Sequence, residues 1–289
     1  MAAGLRLELS AGDGSSVVAH RFDAAAPAGV VVIGAALAVP QAFYFDFAAW
    51  LAQQGFTALT FDYRGVGHAA PRSLRGFRAN IDDWIRHDYE AVVVEARRLA
   101  GGRPLTVVGH SMGAQLVPLL PSAREVDAMV AVAGGSGHWR GFMPPMWPFM
   151  LAMHHVAVPV ALPVAGYFPG RRLKMIGDLP SGVMRQWRRW CLHPDYLVGV
   201  EPGAREAYAR AAFPMLSLSF TDDRMMPQRN VEALHAHLPG VRRETRRFSP
   251  ADAGGPIGHM GFFRRRYRDS LWPVALDWIA ARRRGAEAT

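Results

Sequence analysis

Short runs of apolar residues alternate along the chain with longer stretches of helical period, and this alternation predicts a parallel sheet covered by helices. The runs are VVVIG (30–34), TALTF (57–61), LTVVG (105–109), AMVAVAG (128–134), MLSLSF (215–220) and ETRRF (244–248). The first four are too continuous for a half-exposed sheet and suit central strands buried on both faces. LRLEL (5–9) and VVAH (17–20) read as an initial hairpin at the sheet edge. Between them, NIDDWIRHDYEAVVVEARRLAGG predicts a helix capped by Asn80. It sets Ile81, Trp84, Ile85, Val92, Ala96 and Leu99 near one face and stops at Gly101 and Gly102. The segment LWPVALDWIAARRRG predicts a closing helix with Ser270 as cap and Pro273 in its first turn. Leu271, Ala275, Trp278 and Ile279 share its inner face, and three arginines meet its C-terminal dipole before Gly285.

Residues 137–207 break this rhythm. No charged residue occurs from Gly141 to Gly170, which on hydropathy alone suggests a transmembrane helix. Six prolines (Pro144, Pro145, Pro148, Pro159, Pro163 and Pro169) speak against a span, because Pro159 and Pro163 would break a helix in its middle. The expectation is an inserted lid, rich in Trp and Met, lying over a binding cleft. The Trp, Met and Phe side chains from Phe142 to Phe168 serve there either as lid core or as direct substrate contacts.

Charge and cysteine content narrow the classes. The net charge of +9 rests on arginine, since Lys174 is the only lysine among 33 basic residues. The arginines are scattered in pairs and triplets (Arg242 and Arg243, Arg246 and Arg247, Arg264 to Arg266, Arg282 to Arg284) rather than gathered into a stripe with interleaved aromatics. This favours a solvated basic surface over a nucleic-acid footprint and leaves room for peripheral lipid contact. A single cysteine, Cys191, closes no intrachain disulfide. The opening MAAGLRLELSAGDGSS has one arginine and no apolar run, so no secretory leader is read there and the cytoplasm is the expected compartment.

The candidate chemistry begins at the end of the run 105–109. It leads directly into Gly109, His110, Ser111, Met112 and Gly113, a GxSxG pentapeptide between a strand and a helix start. There the serine sits on a sharp turn, and the glycines avoid collisions with neighbouring backbone. A serine hydroxyl needs a base, and the base an acidic orienter. After the run 215–220 come Asp222 and Asp223, and either carboxylate can serve. Only His235, His237 and His259 follow that acidic pair. The first two lie in a predicted helix, where positions two apart point in different directions. His259 sits in the glycine-flanked loop AGGPIGHMGFF ahead of the final helix, where a histidine can be delivered above the sheet.

Other residues carry less. Cys191 has His193 two positions away but no activating environment in its run. His154 and His155 lack spaced partners for a metal, and no GxGxxG or GxxxxGK[ST] stretch exists, so neither a metal nor a nucleotide cofactor is expected.

Taken together, the GHSMG elbow, the DYRGVG turn at Asp62 to Gly67, an aspartate four residues before Pro227 after a late strand, and the GHMGFF loop resemble the α/β-hydrolase family. The resemblance covers nearly the whole chain and extends to a bacterial branch of serine hydrolases with GAALAVPQAFY-like and SFTDDRMMP-like segments. It implies one α/β-hydrolase domain over 1–289, a mostly parallel sheet flanked by helices, with the lid inserted at 137–207. It also implies Ser111 as nucleophile, Asp223 as acid and His259 as base. Many members carry His-Gly where this sequence has Ala35, Ala36 and Leu37. An oxyanion hole uses backbone N–H groups, so the expectation is Met112 N–H together with that of Leu37 or Ala36. His68, in place of the serine common after the turn, is expected to be structural or exposed. The function so implied is a serine hydrolase cleaving an ester or thioester of an apolar acyl group through an acyl-enzyme. An acyltransferase on the same residues and a catalytically silent binding protein are the rivals.

Overall fold

The computed structural model describes residues 4–144, 146–174 and 177–286, and the side chains of 283–286 lie outside it. Eight strands form one sheet: β1 (Leu5–Ser10), β2 (Ser16–Phe22), β3 (Gly29–Gly34), β4 (Phe56–Phe61), β5 (Leu105–His110), β6 (Ala128–Val132), β7 (Met215–Phe220) and β8 (Arg243–Phe248). Their spatial order is β1-β2-β4-β3-β5-β6-β7-β8. β2 pairs antiparallel with β1 and β4, and every later neighbour is parallel. β3 to β7 are buried along their whole length, as their continuous apolar runs require when helices cover both faces. β8 closes one edge with Arg243, Glu244, Arg246 and Arg247, charges that discourage further strand pairing. The run 128–134 ends as a strand two residues early, because Ala133 turns to a φ of 49°.

The helix after β4 starts at the expected place for the expected reason. The Asn80 side chain accepts from Asp83 N–H at 2.9 Å, and the Asp83 carboxylate accepts from Asn80 N–H at 2.8 Å. It runs to Ala100 through a π-helical turn at Trp84–Tyr89 and stops at Gly101, which adopts a φ of 55°. The final helix spans Trp272–Ala286 and buries the predicted face. Ser270 does not cap it in the expected way: its hydroxyl donates to the Ala253 carbonyl at 3.4 Å. Arg282 stacks on the Trp278 ring at 4.4 Å, while the side chains of Arg283 and Arg284 lie outside the described residues.

Between β6 and β7 the chain leaves the sheet and builds a separate helical layer. Here one expectation is corrected, because Pro159 and Pro163 do not break the helix. The segment Met146–Ala165 is continuously helical over 20 residues. A π-helical turn at Met153–Ala157 lies immediately before the part that contains both prolines. A proline ring collides with the carbonyl four residues back; for Pro159 that is the carbonyl of His155, inside the widened turn, which relieves the collision, whereas Pro163 lies within the α-helical part. Pro145 lies outside the described residues. The helix Ser181–Leu192, a 3₁₀ turn at Tyr196–Gly199 and the helix Ala204–Arg210 complete the layer.

Candidate active site

Ser111 stands at the end of β5 with φ 50° and ψ −114°, a conformation that L side chains rarely adopt. Its neighbours show why glycine flanks it. A Cβ on Gly109 would overlap the backbone of Ala114, and one on Gly113 would overlap the Gly34 carbonyl, so β3 and the turn after β5 touch through bare backbone. The strained turn lifts Ser111 to the wall of a cavity of about 320 Å³ that His259 also lines.

The two aspartates after β7 have separate partners. Asp223 is buried, and its Oδ2 accepts from His259 Nδ1 at 2.7 Å. Its Oδ1 accepts from Met225 N–H and Met226 N–H, each at 2.9 Å. Burial pushes this carboxyl up, but the His259 ring beside it and the two amides outweigh burial and hold it below the usual carboxylate range. Asp222 instead accepts from Ile257 N–H at 2.8 Å and so ties down the loop that carries the histidine. That loop turns at Gly258, with φ 57°.

Behind the site runs a chain of bonds that sequence reasoning missed. His110 is fully buried, and its Nε2 lies 2.9 Å from the His259 carbonyl oxygen. A carbonyl only accepts, so Nε2 carries the proton and Nδ1 accepts from the Tyr44 hydroxyl at 2.9 Å. Tyr44 in turn accepts from Ala36 N–H at 2.9 Å. Burial, reinforced by the nearby His259, pushes His110 down to about 3 and keeps it neutral. The loop after β3 is thereby joined to the histidine loop. His110 lay in plain sight inside the pentapeptide, but nothing local in the sequence pairs it with Tyr44.

The same chain corrects one expectation about the oxyanion donors. Ala36 N–H is already spent on Tyr44, so it is not free for a ligand. Met112 N–H and Leu37 N–H make no hydrogen bond among the described residues, and both residues line the cavity. Asp62, from the DYRGVG turn, accepts from the Gln41 amide N–H and side chain, each at 2.8 Å, and from His68 N–H at 2.9 Å, fixing the far end of the β3 loop. The His68 side chain is 56% exposed.

The cavity wall is apolar. Leu37, Val39, Phe142, Trp187, Met225 and Met260 contribute to it, and no Asp, Glu, Lys or Arg lines it among the described residues. Its amide, Gln115, is occupied: Nε2 donates to the Gly135 carbonyl at 2.8 Å, and Oε1 accepts from Tyr196 at 3.1 Å. Trp187 Nε1 donates to Tyr196 at 3.1 Å, so two side chains of the inserted layer are anchored to the turn after Ser111. The aromatic and Met cluster divides three ways. Phe142 lines the cavity, Met150 and Met153 are buried, and Trp147 and Phe149 are exposed.

The remaining candidates lie elsewhere. Cys191 is buried and its thiol is pushed well up by burial, the opposite of activation. His235 is buried and pushed down to about 3 by burial and then by Arg243. His154 is buried with neither ring nitrogen partnered, His155 is exposed, and no cluster with metal-ligand character occurs among the described residues.

Comparison with known proteins agrees with this fold. No curated protein matches the chain. The fold is similar to a soluble variant of monoglyceride lipase from Saccharomyces cerevisiae, in complex with a substrate analogue, with a TM-score of 0.67 and 16% identity over 95% of this chain and 94% of that one. It is similar to a monoacylglycerol lipase from Paleococcus ferrophilus, with a TM-score of 0.60 and 15% identity over 93% of this chain and 100% of that one. A lidless α/β serine hydrolase from Xanthomonas campestris matches with a TM-score of 0.54 and 14% identity over 95% of this chain and 94% of that one. A family model described as serine aminopeptidase, S33, matches residues 25–174. The chain belongs to this family and is a serine hydrolase of the α/β-hydrolase fold.

Proposed function

We propose that the protein hydrolyses uncharged esters or thioesters of apolar acyl groups, with Ser111 as nucleophile, His259 as general base and Asp223 as its orienter. The observation that carries this is the 2.7 Å bond from His259 to Asp223, with His259 and Ser111 lining one cavity in which no Asp, Glu, Lys or Arg occurs among the described residues. With its Nδ1 proton held by Asp223, His259 presents Nε2 as the acceptor for the Ser111 proton. The hydroxyl oxygen attacks the acyl carbonyl, and Met112 N–H and Leu37 N–H hold the developing oxyanion. His259 then passes its proton to the departing alcohol or thiol. Water, deprotonated by the same nitrogen, releases the acid and restores Ser111. Residues 137–207 act as a lid whose Trp187 and Phe142 cover the acyl chain.

Peptide hydrolysis from a free amino terminus, as the family's description would suggest, suits this cavity poorly. A substrate ammonium would lie among methionines and aromatics with no carboxylate to pair it, and an unpaired buried charge is costly. Parallel assays with nitrophenyl acyl esters of increasing chain length and with aminoacyl nitroanilides test this directly. Turnover of the esters, rising with chain length until the cavity is filled, is expected, with none of the anilides. Preferential turnover of the anilides would refute the substrate class. Product analysis with an added alcohol separates hydrolysis from acyl transfer.

A further inference from the structure

The helix Met146–Ala165 is apolar on both sides, yet only one side is covered. Its inward stripe is Met150, Met153, His154, Val158 and Leu162. Its outward positions include Val156, Val160 and Val164, 61%, 59% and 72% exposed and four residues apart, hence on one face. Seven of the nine exposed large apolar side chains among the described residues fall between Met143 and Leu173. A surface helix ordinarily turns a polar face to water, and one that is apolar all round is ordinarily enclosed. By length and apolar composition this helix could cross a bilayer, but its inner stripe is packed on the protein, which argues for a helix laid along a surface.

The surroundings specify the partner. The outward valines form the floor of an open groove of about 790 Å³, and Arg75 and Arg172 stand at its wall. No Asp or Glu occurs anywhere from 128 to 177, whereas Arg140, Arg171, Arg172 and Lys174 do. Arg171 reaches only Asp178, at 3.9 Å, and Arg172 has no acidic partner among the described residues. Arg75 has no acidic partner among the described residues either, and one of its nitrogens donates to the Val164 carbonyl at 3.1 Å, which holds it at the edge of the valine face. Apolar side chains flanked by Arg75 and Arg172 match a bilayer whose headgroups are anionic: valines enter the acyl boundary while guanidinium groups meet phosphates. The His154 and Trp187 rings pack in a T-shaped pair with centroids 5.3 Å apart, and Trp187 lines the Ser111 cavity, so the helix is one side chain away from the site.

We propose that the outward face of Met146–Ala165, with Arg75 and Arg172, docks this protein on anionic phospholipid bilayers. The proposal does not depend on the ester chemistry, because Ser111→Ala leaves that face intact and should bind equally. The test is sedimentation of the full chain with vesicles of phosphatidylglycerol and phosphatidylcholine in equal parts, against phosphatidylcholine alone. Binding to the mixed vesicles, weakened by salt, is expected. Val160→Asn with Val164→Asn should lower partition by ~10-fold or more through lost apolar insertion. Arg75→Gln and Arg172→Gln should each lower it about fivefold. Circular dichroism and thermal melting verify that each variant is folded. Absence of binding to the mixed vesicles, equal binding to phosphatidylcholine alone, or binding indifferent to both sets of substitutions would overturn the proposal. So would a lipid-free dimer in sedimentation velocity that Val160→Asn disperses, since the face would then belong to a second copy.

Discussion

The strand ends and the helical layer above them are both rich in apolar residues, but they treat polar groups in opposite ways. At the strand ends the polar groups behind Ser111 are paired with one another, while Asp222 Oδ1 is buried without a partner. Asp223 accepts three bonds, His110 makes two, and Tyr44 joins Ala36 to His110. In the layer above, both ring nitrogens of His154 lack partners and three valines face outward. A fully satisfied network fixes atoms to the fraction of an ångström that bond-making needs. The helix Met146–Ala165, whose side chains make no hydrogen bond among the described residues, can shift against a greasy ligand or surface. Position is demanded of one region and adaptability of the other.

Substitutions at the strand ends should therefore cost far more in turnover than any in the layer. Ser111→Ala and His259→Ala should each lower kcat/KM on a soluble ester by ~10⁴ or more, since the members act as a unit. Asp223→Asn should approach the same loss, as the wrong imidazole tautomer results. Asp222→Asn should cost much less, because an amide oxygen can still accept from Ile257 N–H. Reversed costs for the two aspartates would exchange their roles. Next in size is His110→Ala, expected to lower kcat about 10- to 100-fold with little change in KM, by loosening the His259 loop. An unchanged kcat would show that this network holds the fold without positioning the base.

Acid should distinguish the regions by stability. His110 and His235 are held near 3 and His154 near 4, chiefly by burial, all below the unfolded value of 6.5. The unfolded chain thus binds more protons as pH falls below 6.5, and each histidine removes up to about 1.4 kcal/mol of stability per pH unit until its folded value is reached. Denaturant titrations should show stability falling from pH 6.5 towards 4, less steeply in His154→Phe. Smallest of all is Val156→Ser, which should alter stability by no more than about 0.5 kcal/mol in urea unfolding, as its side chain packs on little.

Much of the sheet was legible, because buried strands need continuous apolar runs and the turn holding Ser111 needs glycine where backbone meets backbone. His259 and the two aspartates were legible as candidates from chain order after the elbow. Which aspartate meets the imidazole was open to local reading, since adjacent residues differ only in direction, and direction here depends on bonds from Met225 and Met226. Pro159 misled because a wide turn just upstream accommodates it, a backbone adjustment with no residue signature. Ala36 misled because its amide is consumed by Tyr44 eight residues later, through a side chain that gives no local hint of its partner.

The central claim is that Ser111 is the activated hydroxyl. Reaction of the folded chain with a fluorophosphonate, followed by mass spectrometry of its peptides, tests it most directly. The expected result is a single adduct on Ser111 that forms far more slowly in His259→Ala; an adduct on another residue, or none on folded protein, would contradict it.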